Sequence, residues 1–432
     1  LGLPGQLSVD SIIQLYEGRT LHFISFNPPL MSLLLGVLDR LGNAPVGFVV
    51  LSQAMLSASS WLVFSQSGRI TVPRFCLAAV VLLNPVVLIY VGIVWKDVLL
   101  AHAVVLTYLL LASLHHRGKP MTPPLAALAL LLLTVIVGAR QQGLLFAVPA
   151  ALWAAAIAGR SKRARLLAAV AFLVIPFAAN RLMDFYAAQS RANPQVDAVS
   201  TGWRILVQFD IAGILARKGG LPADTPPALV DEFRRQALRY SPFRVDTLDS
   251  SAPAFWALDV TGASRLWRSA IVASPVPYLR HRAAHFATLL GLSDMHACLP
   301  VYTGTAGPVV HPGVDGDLTA LLGLSTAVRS VSYRVRDFGQ EQAGTPLFMH
   351  FAYAVVLVLV AVCLFVRREP VLLTLAVCAL LYLASYSVVG IACDFRYAYA
   401  LTVTATLLLA YACLNCGTSR KDRGEPFGAR GS

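Results

Sequence analysis

Apolar side chains occur in runs near the length at which an α-helix crosses the roughly 30 Å of bilayer hydrocarbon, about 20 residues. Nine such runs recur, at 45–65, 75–94, 97–114, 122–139, 143–158, 164–182, 347–366, 370–391 and 396–415, separated by short charged or Gly/Pro-containing connections. The pattern predicts an all-α polytopic membrane protein. Two stretches break it. NPPLMSLLLGVLDRLG, 27–42, is apolar and opens on a Pro-Pro pair that suits a helix N-terminus, but it carries Asp39 and Arg40 and stops short of a crossing. It reads as a juxtamembrane helix set in the outer leaflet. Residues 183–346 are richer in Arg, Asp, Pro and Ser, with isolated apolar patches such as WRILVQFDIAGIL at 203–215, and predict a partly helical extramembrane domain. Within it, residues 264–292 alternate basic residues with aromatics and leucines. They predict two amphipathic helices broken at Pro275 and Pro277, the second on the membrane surface. The domains are therefore 1–44, a first outward loop with its juxtamembrane helix; 45–182, a six-span bundle; 183–346, the outward domain; 347–415, three closing spans; and 416–432, an inward tail.

Composition sharpens the class. Hydrophobic residues make up 57% of the 432-residue chain and charged ones 13%, which excludes an ordinary soluble domain. The net charge of +13 would fit a nucleic-acid partner, but the positive charges lie between spans. Arg69 and Arg74, Arg117 and Lys119, GRSKRAR at 159–165, Arg367-Arg368 and SRKDRG at 419–424 fall in every second connection. By the positive-inside rule these connections are cytoplasmic, so the charge orients the chain and implies no nucleic acid. The loops at 1–26, 96–97, 139–143, 183–346 and 392–397 then face outward together. This topology starts outside and ends inside, so a further membrane helix is expected upstream of residue 1. Five of the seven cysteines lie in spans or at their inner ends, where thiols act as small apolar groups. Cys413 and Cys416 have C-x-x-C spacing but stand alone. Cys298 and Cys393 face outward, where an oxidising compartment could join them.

An ionisable group at membrane depth costs a few kcal/mol, so its default reading is functional unless it reaches the interface. Lys96-Asp97, Arg140, and Asp394 with Arg396 sit at the same ends of their spans, and Asp10 lies in the outward loop that precedes them. They are expected to converge on one outward-facing cleft. The bland alternative makes Asp97 a cap of the next helix in a tight hairpin. A cluster of both signs suits a phosphate-linked substrate presented from the lipid: Lys and Arg hold the phosphate, and a carboxylate accepts a proton or positions a divalent metal.

These residues also carry a resemblance. DSIIQ at 10–14, SFNPPL at 25–30, Asn84-Pro85 within a span with Trp95-Lys96-Asp97 at its outer end, ARQQG at 139–143, and DFRY at 394–397 occur in an order that resembles bacterial integral-membrane glycosyltransferases of the GT-C superfamily. The branch it is closest to has a W-K-D signature and is related to polyprenyl-phosphate-sugar-dependent mannosyl- and arabinosyltransferases. The resemblance covers most of the membrane portion and implies a GT-C-like helical bundle in the bacterial inner membrane, with its active site facing the periplasm. It implies Asp10 as first-loop catalytic acid and Asp97 as second-loop acid. Lys96, Arg140 and Arg396 are implied to contact donor phosphate or acceptor, with Gln14, Asn27 and Tyr397 from the same motifs as substrate-binding residues. One departure is Asn27, where many relatives have a His before the Pro-Pro pair. A second is Ser11 after Asp10, so no acidic pair is visible in the first loop; Glu17, one to two turns on, is the candidate replacement. Dependence on a divalent metal, Mg or Mn, stays open.

The expected activity is transfer of a sugar from a polyprenyl-phosphate carrier to a periplasmic glycan, lipid or cell-surface polymer, with inversion. The alternatives are a transporter or flippase of a lipid-linked glycan, and a polymerase of glycan repeat units. Transporters tend to carry midplane charges on broken helices in repeated halves, whereas these charges gather at one interface.

Overall fold

The computed structural model describes residues 5–67, 70–159, 161–190, 198–249, 252–305, 307–325 and 330–415. The inward tail at 416–432, Arg69, and Arg160 of the 159–165 basic run lie outside the described residues. Among those described, six helices are long and apolar enough to cross a membrane, and three more apolar helices are shorter. The chain is an all-α, multi-pass membrane protein.

The first loop folds as two helices, α1 (Val9–Thr20) and α2 (Pro29–Arg40). Gly18 and Gly36 are what let them meet: a Cβ on either would run into the other helix's backbone. Glu17 is fully buried at the same contact. One of its oxygens accepts from the Ile24 and Ser25 amides at 3.0 and 2.7 Å, the other from the Ser32 hydroxyl at 2.6 Å. At the far end, Arg19 clasps Asp39 with two hydrogen bonds of 2.6 and 3.0 Å. A helix, α2, thus stands where the juxtamembrane helix was expected, with Val37 exposed on it and Leu41 exposed just past its end.

The bundle comprises α3 (Ala44–Ser65), α4 (Val72–Leu82), α5 (Pro85–Tyr90), α6 (Lys96–His116), α7 (Pro123–Ala139), α8 (Leu144–Ala158) and α9 (Lys162–Gln189). The expected span at 75–94 is two helices, not one. Proline at 85 has no N–H to continue α4, so a new helix starts there, with the Asn84 side chain accepting from the Val86 amide at 3.0 Å. After α5 the backbone is extended: the Gln6 amide donates to the Gly92 carbonyl at 2.8 Å and the Val94 amide to the Gln6 carbonyl at 3.0 Å. The expected end of the bundle at 182 also shifts, because α9 runs on to Gln189.

The segment between the bundle and the closing helices, called the outward domain after its expected side, holds α10 (Ala198–Ala216), α11 (Pro227–Arg239), α12 (Pro253–Trp256), α13 (Val260–Ala273), α14 (Pro275–Leu290), a two-stranded antiparallel ribbon of β1 (Val310–His311) and β2 (Val314–Asp317), α15 (Leu318–Leu321) and α16 (Ser330–Glu341). The predicted break between two helices is present, at Ser274. The closing helices are α17 (His350–Val366), α18 (Pro370–Val389) and α19 (Tyr399–Asn415). Helices α6 and α19 form the buried centre of the bundle.

Candidate functional site

The extended pairing of 6 with 92–94 decides where the first loop sits. Ser8 caps α1 and shares a capping box with Ser11, and the Ser11 hydroxyl donates to the Val94 carbonyl. Asp10, in the first turn of α1, is thereby carried to the start of α6. The Cys298–Cys393 disulfide, with Cα atoms 5.5 Å apart, holds the opposite wall, as the two outward cysteines led one to expect. The Phe395 amide donates to the Leu299 carbonyl at 3.2 Å, so the turn bearing Asp394, Arg396 and Tyr397 is tied to the outward domain.

The expected residues come together. Arg396 donates from Nη1 to Asp10 Oδ2 at 3.0 Å, lies 3.8 Å from Asp394, and places its guanidinium 4.9 Å from the Trp95 ring and 5.1 Å from that of Tyr397. Lys96 Nζ donates to Asn27 Oδ1 at 2.6 Å. It has no carboxylate within ion-pair distance among the described residues, so its charge faces a neutral amide. Arg140 pairs with Asp97, and its guanidinium sits 4.8 Å from the Tyr397 ring and 5.7 Å from that of Tyr386.

Asp97 is not a helix cap. The N-cap of α6 is Trp95, and the Asp97 side chain, 3% exposed, is the counter-ion of Arg140. Asp10 differs: its side chain is 41% exposed. Burial of its surroundings raises the Asp10 pKa, but Arg396, Lys96 and Arg140 more than offset this, and the carboxyl titrates below the usual range. Asp394 behaves oppositely, its pKa raised because burial outweighs Arg396 and Arg244.

Gln14, one turn beyond Asp10, is buried, and among the described residues its amide nitrogen has no hydrogen-bond partner; neither does the Trp95 indole nitrogen nor Arg396 Nε. Orphaned buried donors are rare and call for an explanation such as water or ligand oxygen. Three aromatic residues were missed from sequence. Tyr302, from the outward domain, packs 5.6 Å from Trp95, and burial pushes its hydroxyl up to about 12. Tyr386 and Tyr382 both donate to the Tyr397 carbonyl, at 2.7 and 2.8 Å.

The idea that Glu17 replaces a second acid beside Asp10 does not hold. Its two oxygens are taken by α2 and the loop before it, and it lies two turns, about 10 Å, along the helix. Among the described residues no three His, Cys, Asp or Glu gather as metal ligands. A cavity of about 250 Å³ lies away from the charges, lined by Gln53, Ser57, Ser60, Leu82, Val87 and Thr406 among others. No protein-family model, curated protein or solved structure matches the chain.

Proposed function

We propose that this protein is a membrane glycosyltransferase of the GT-C type, moving a sugar from a polyprenyl-phosphate carrier to a glycan, lipid or polymer acceptor on the outer face of the bacterial inner membrane. The observation that carries the reading is the pairing of a partly exposed carboxylate, Asp10, with Arg396 next to an ammonium, Lys96, that donates to the neutral Asn27 amide and has no ion-pair partner among the described residues. Nine spans with the Asp10 side outward follow from the alternating basic connections.

In this reading Asp10 is the base. Arg396 engages Oδ2 and leaves Oδ1 to receive the acceptor hydroxyl proton. The depressed pKa keeps the carboxylate ionised at neutral pH. The hydroxyl oxygen attacks the anomeric carbon from the face opposite the phosphate, and becomes acidic as it gives its electrons to that carbon. The bond from the anomeric carbon to phosphate oxygen breaks, the electron pair leaves with the polyprenyl phosphate, and the configuration inverts. Lys96 and Arg396 stabilise the charge growing on the phosphate, an electrostatic effect of the kind that dominates many reactions. Arg140 and Asp97 hold Tyr397, and Asn27 orients Lys96. Glu17 and Asp10 do not fit a shared metal, so no step uses one.

Purified protein given a panel of radiolabelled polyprenyl-phosphate sugars and candidate acceptors tests this. Transfer should appear with one donor and fall by about a hundredfold or more in Asp10→Asn. Undiminished transfer in that variant would refute the role of Asp10.

A flippase for a lipid-linked glycan, the second reading, is favoured by one feature. The break at Asn84-Pro85 falls inside an apolar run, beside the cavity with polar residues Gln53, Ser57, Ser60 and Thr406, and broken helices are a transporter trait. Movement of a fluorescent lipid-linked sugar across proteoliposomes, without transfer, would select it. Polymerisation of repeat units would show as ladders of product.

A further inference from the structure

Helix α14 is built inside out. Apart from Leu289, its buried face is polar. His281 meets Asp210 at 2.8 Å through Nε2 and the Tyr240 hydroxyl at 2.6 Å through Nδ1. Arg282 pairs with Asp210 at 2.5 Å and donates to the Gly390 carbonyl at 2.6 Å, and His285 Nδ1 lies 2.8 Å from the Pro242 carbonyl. The other face is apolar: Val276, Leu279, Ala283, Phe286 and Leu290 follow at steps of three and four residues, which makes one stripe along the helix. Val276 is 54% and Leu279 63% exposed, and Ala283 is exposed; Phe286 and Leu290 are partly covered by the bundle. Val272, at the end of α13, extends the stripe and is 80% exposed. A helix in water turns its apolar stripe inward; this one does the reverse.

Its position says what covers that stripe. Arg282 bonds to Gly390, the residue after α18 ends, and Gly291 lies against Met349, the residue before α17 starts. Consecutive antiparallel spans have those two ends on one side of the bilayer. Between the two contacts α14 runs nine residues, about 13 Å at the helical rise, from one span end to the other, and so lies across them at the level of the bilayer edge. Phe351, Val388 and Val389 at these ends are themselves exposed and apolar, so the surface continues from the spans onto α14. Exposed Arg280 flanks the stripe, and exposed Arg265 and Arg268 lie on α13. Long basic side chains beside an apolar face suit the phosphate level of a leaflet.

We propose that α14 is an interfacial helix whose Val276, Leu279 and Ala283 sink into the leaflet on the outward-domain side, with Arg268 and Arg280 at the lipid phosphates. The inference does not rest on the proposed reaction, and it supplies a reason for the polar buried face: His281 and His285 bind α14 into the outward domain and Arg282 fastens it to the end of α18, while the lipid receives the opposite side.

The test uses the full chain in phospholipid nanodiscs, with the five cysteines outside the disulfide replaced by alanine. A nitrobenzoxadiazole probe is attached at Leu279→Cys or, as a water-facing control, at Asp231→Cys, which is exposed on α11. Formation of the Cys298–Cys393 bond verifies folding of each variant. At Leu279 the emission should be blue-shifted and largely lost when the lipids carry a nitroxide on the upper acyl chain, with both effects absent at Asp231. A Val276→Asp background should reduce the quenching at Leu279. Emission at Leu279 that matches the control overturns the proposal. So does a blue shift without quenching, accompanied by Leu279→Cys cross-links between chains, since that would make the stripe a contact between two copies.

Discussion

Asp97 and Lys96 are neighbours in sequence but belong to different jobs, and a charge-removal cycle separates them. Asp97→Asn leaves the Arg140 guanidinium, 17% exposed, without its carboxylate. Breaking a buried ion pair by deleting one partner costs about 3–5 kcal/mol, because the remaining charge stays desolvated. The rings of Tyr397 and Tyr386 still face that guanidinium, which argues for the lower end, about 3 kcal/mol. Arg140→Gln leaves Asp97 orphaned at 3% exposure. The first turn of α6 favours a negative charge there by up to about 1 kcal/mol, so this cost is also at the lower end, about 3 kcal/mol. The double variant leaves no isolated charge and should cost about 3 kcal/mol in total, giving a coupling near 3 − 3 − 3, or about −3 kcal/mol. Lys96→Gln, which loses a bond to a neutral amide, should cost only about 1 kcal/mol. Reversible unfolding in mixed micelles, followed by circular dichroism, reads all four. Additivity of the two single variants within about 0.5 kcal/mol would refute the pair as a structural unit. A Lys96→Gln cost equal to that of Asp97→Asn would refute the division of labour.

The acid limb of the transfer pH profile should lie below the ordinary carboxylate value near 3.9, and Arg396→Gln should move it upward, since burial then acts on Asp10 with less opposition; a limb that does not move would show that another group titrates. The same depression makes the Asp10–Arg396 contribution to stability present above about pH 4 and lost only as pH falls through the lower folded value. The outward domain should weaken on acidification: burial lowers the His285 pKa to about 4 and also lowers that of His281, next to Asp210 and Arg282. The unfolded chain then binds more protons as pH drops from 6.5 towards 4, and stability falls by at most about 1.4 kcal/mol per pH unit per histidine. Melting at pH 7 and pH 5 measures the slope, and His285→Gln should flatten it. Removing the Cys298–Cys393 bond, which closes a sequence separation of 95 residues, should cost about 4 kcal/mol and speed hydrogen exchange at 391–397; unchanged exchange there would remove its role in holding Arg396.

The site was legible to the extent that its parts were charged and its surroundings were not. In a chain this apolar, Lys96, Asp97, Arg140, Asp394 and Arg396 stand out, and the alternation of basic connections puts them on one side. What the sequence could not reveal was pairing. That Asp97 answers Arg140 and Lys96 answers Asn27 depends on how hairpin tips rotate about one another, which local pattern does not encode. Glu17 looked like a spare acid because its three donors come from 24, 25 and 32, beyond a turn that could not be drawn in advance. The break at Asn84 was hidden because the apolar run continues through it, although Pro85 was the signal. Tyr302 carried no signal at all, lying in a segment without helical period. The inverted face of α14 was partly readable as amphipathicity, but periodicity alone does not say which face is buried.

The burial of polar groups on α14 and the tethering of 390–396 are one arrangement. Within this short stretch, the Gly390 carbonyl accepts from Arg282, the Ile391 carbonyl accepts from the Val245 amide at 2.8 Å, the Cys393 amide donates to the Phe243 carbonyl at 2.9 Å, the Cys393 sulfur bonds Cys298, and the Phe395 amide reaches Leu299. These ties arrive from the outward domain, while the buried Phe395 ring also packs on rings of the helical bundle, 5.6 Å from Tyr90 and 4.1 Å from His350, and the next residue is Arg396. Without these ties the connection between α18 and α19 would be held chiefly by the packing of Phe395, and ordering the rest of the turn would cost roughly 1–2 kcal/mol per residue. The outward domain supplies much of that ordering and the packing of Phe395 and Arg396 on Tyr90, His350 and Trp95 the rest, so the distance from Arg396 to Asp10 is set from both sides, while Asp10 is set by the pairing of 6 with 92–94. A site whose two halves carry separate backbone tethers can be loosened by moving one of them. The proposed lipid contact at α14 would steady the domain that carries the tethers, and through them Arg396.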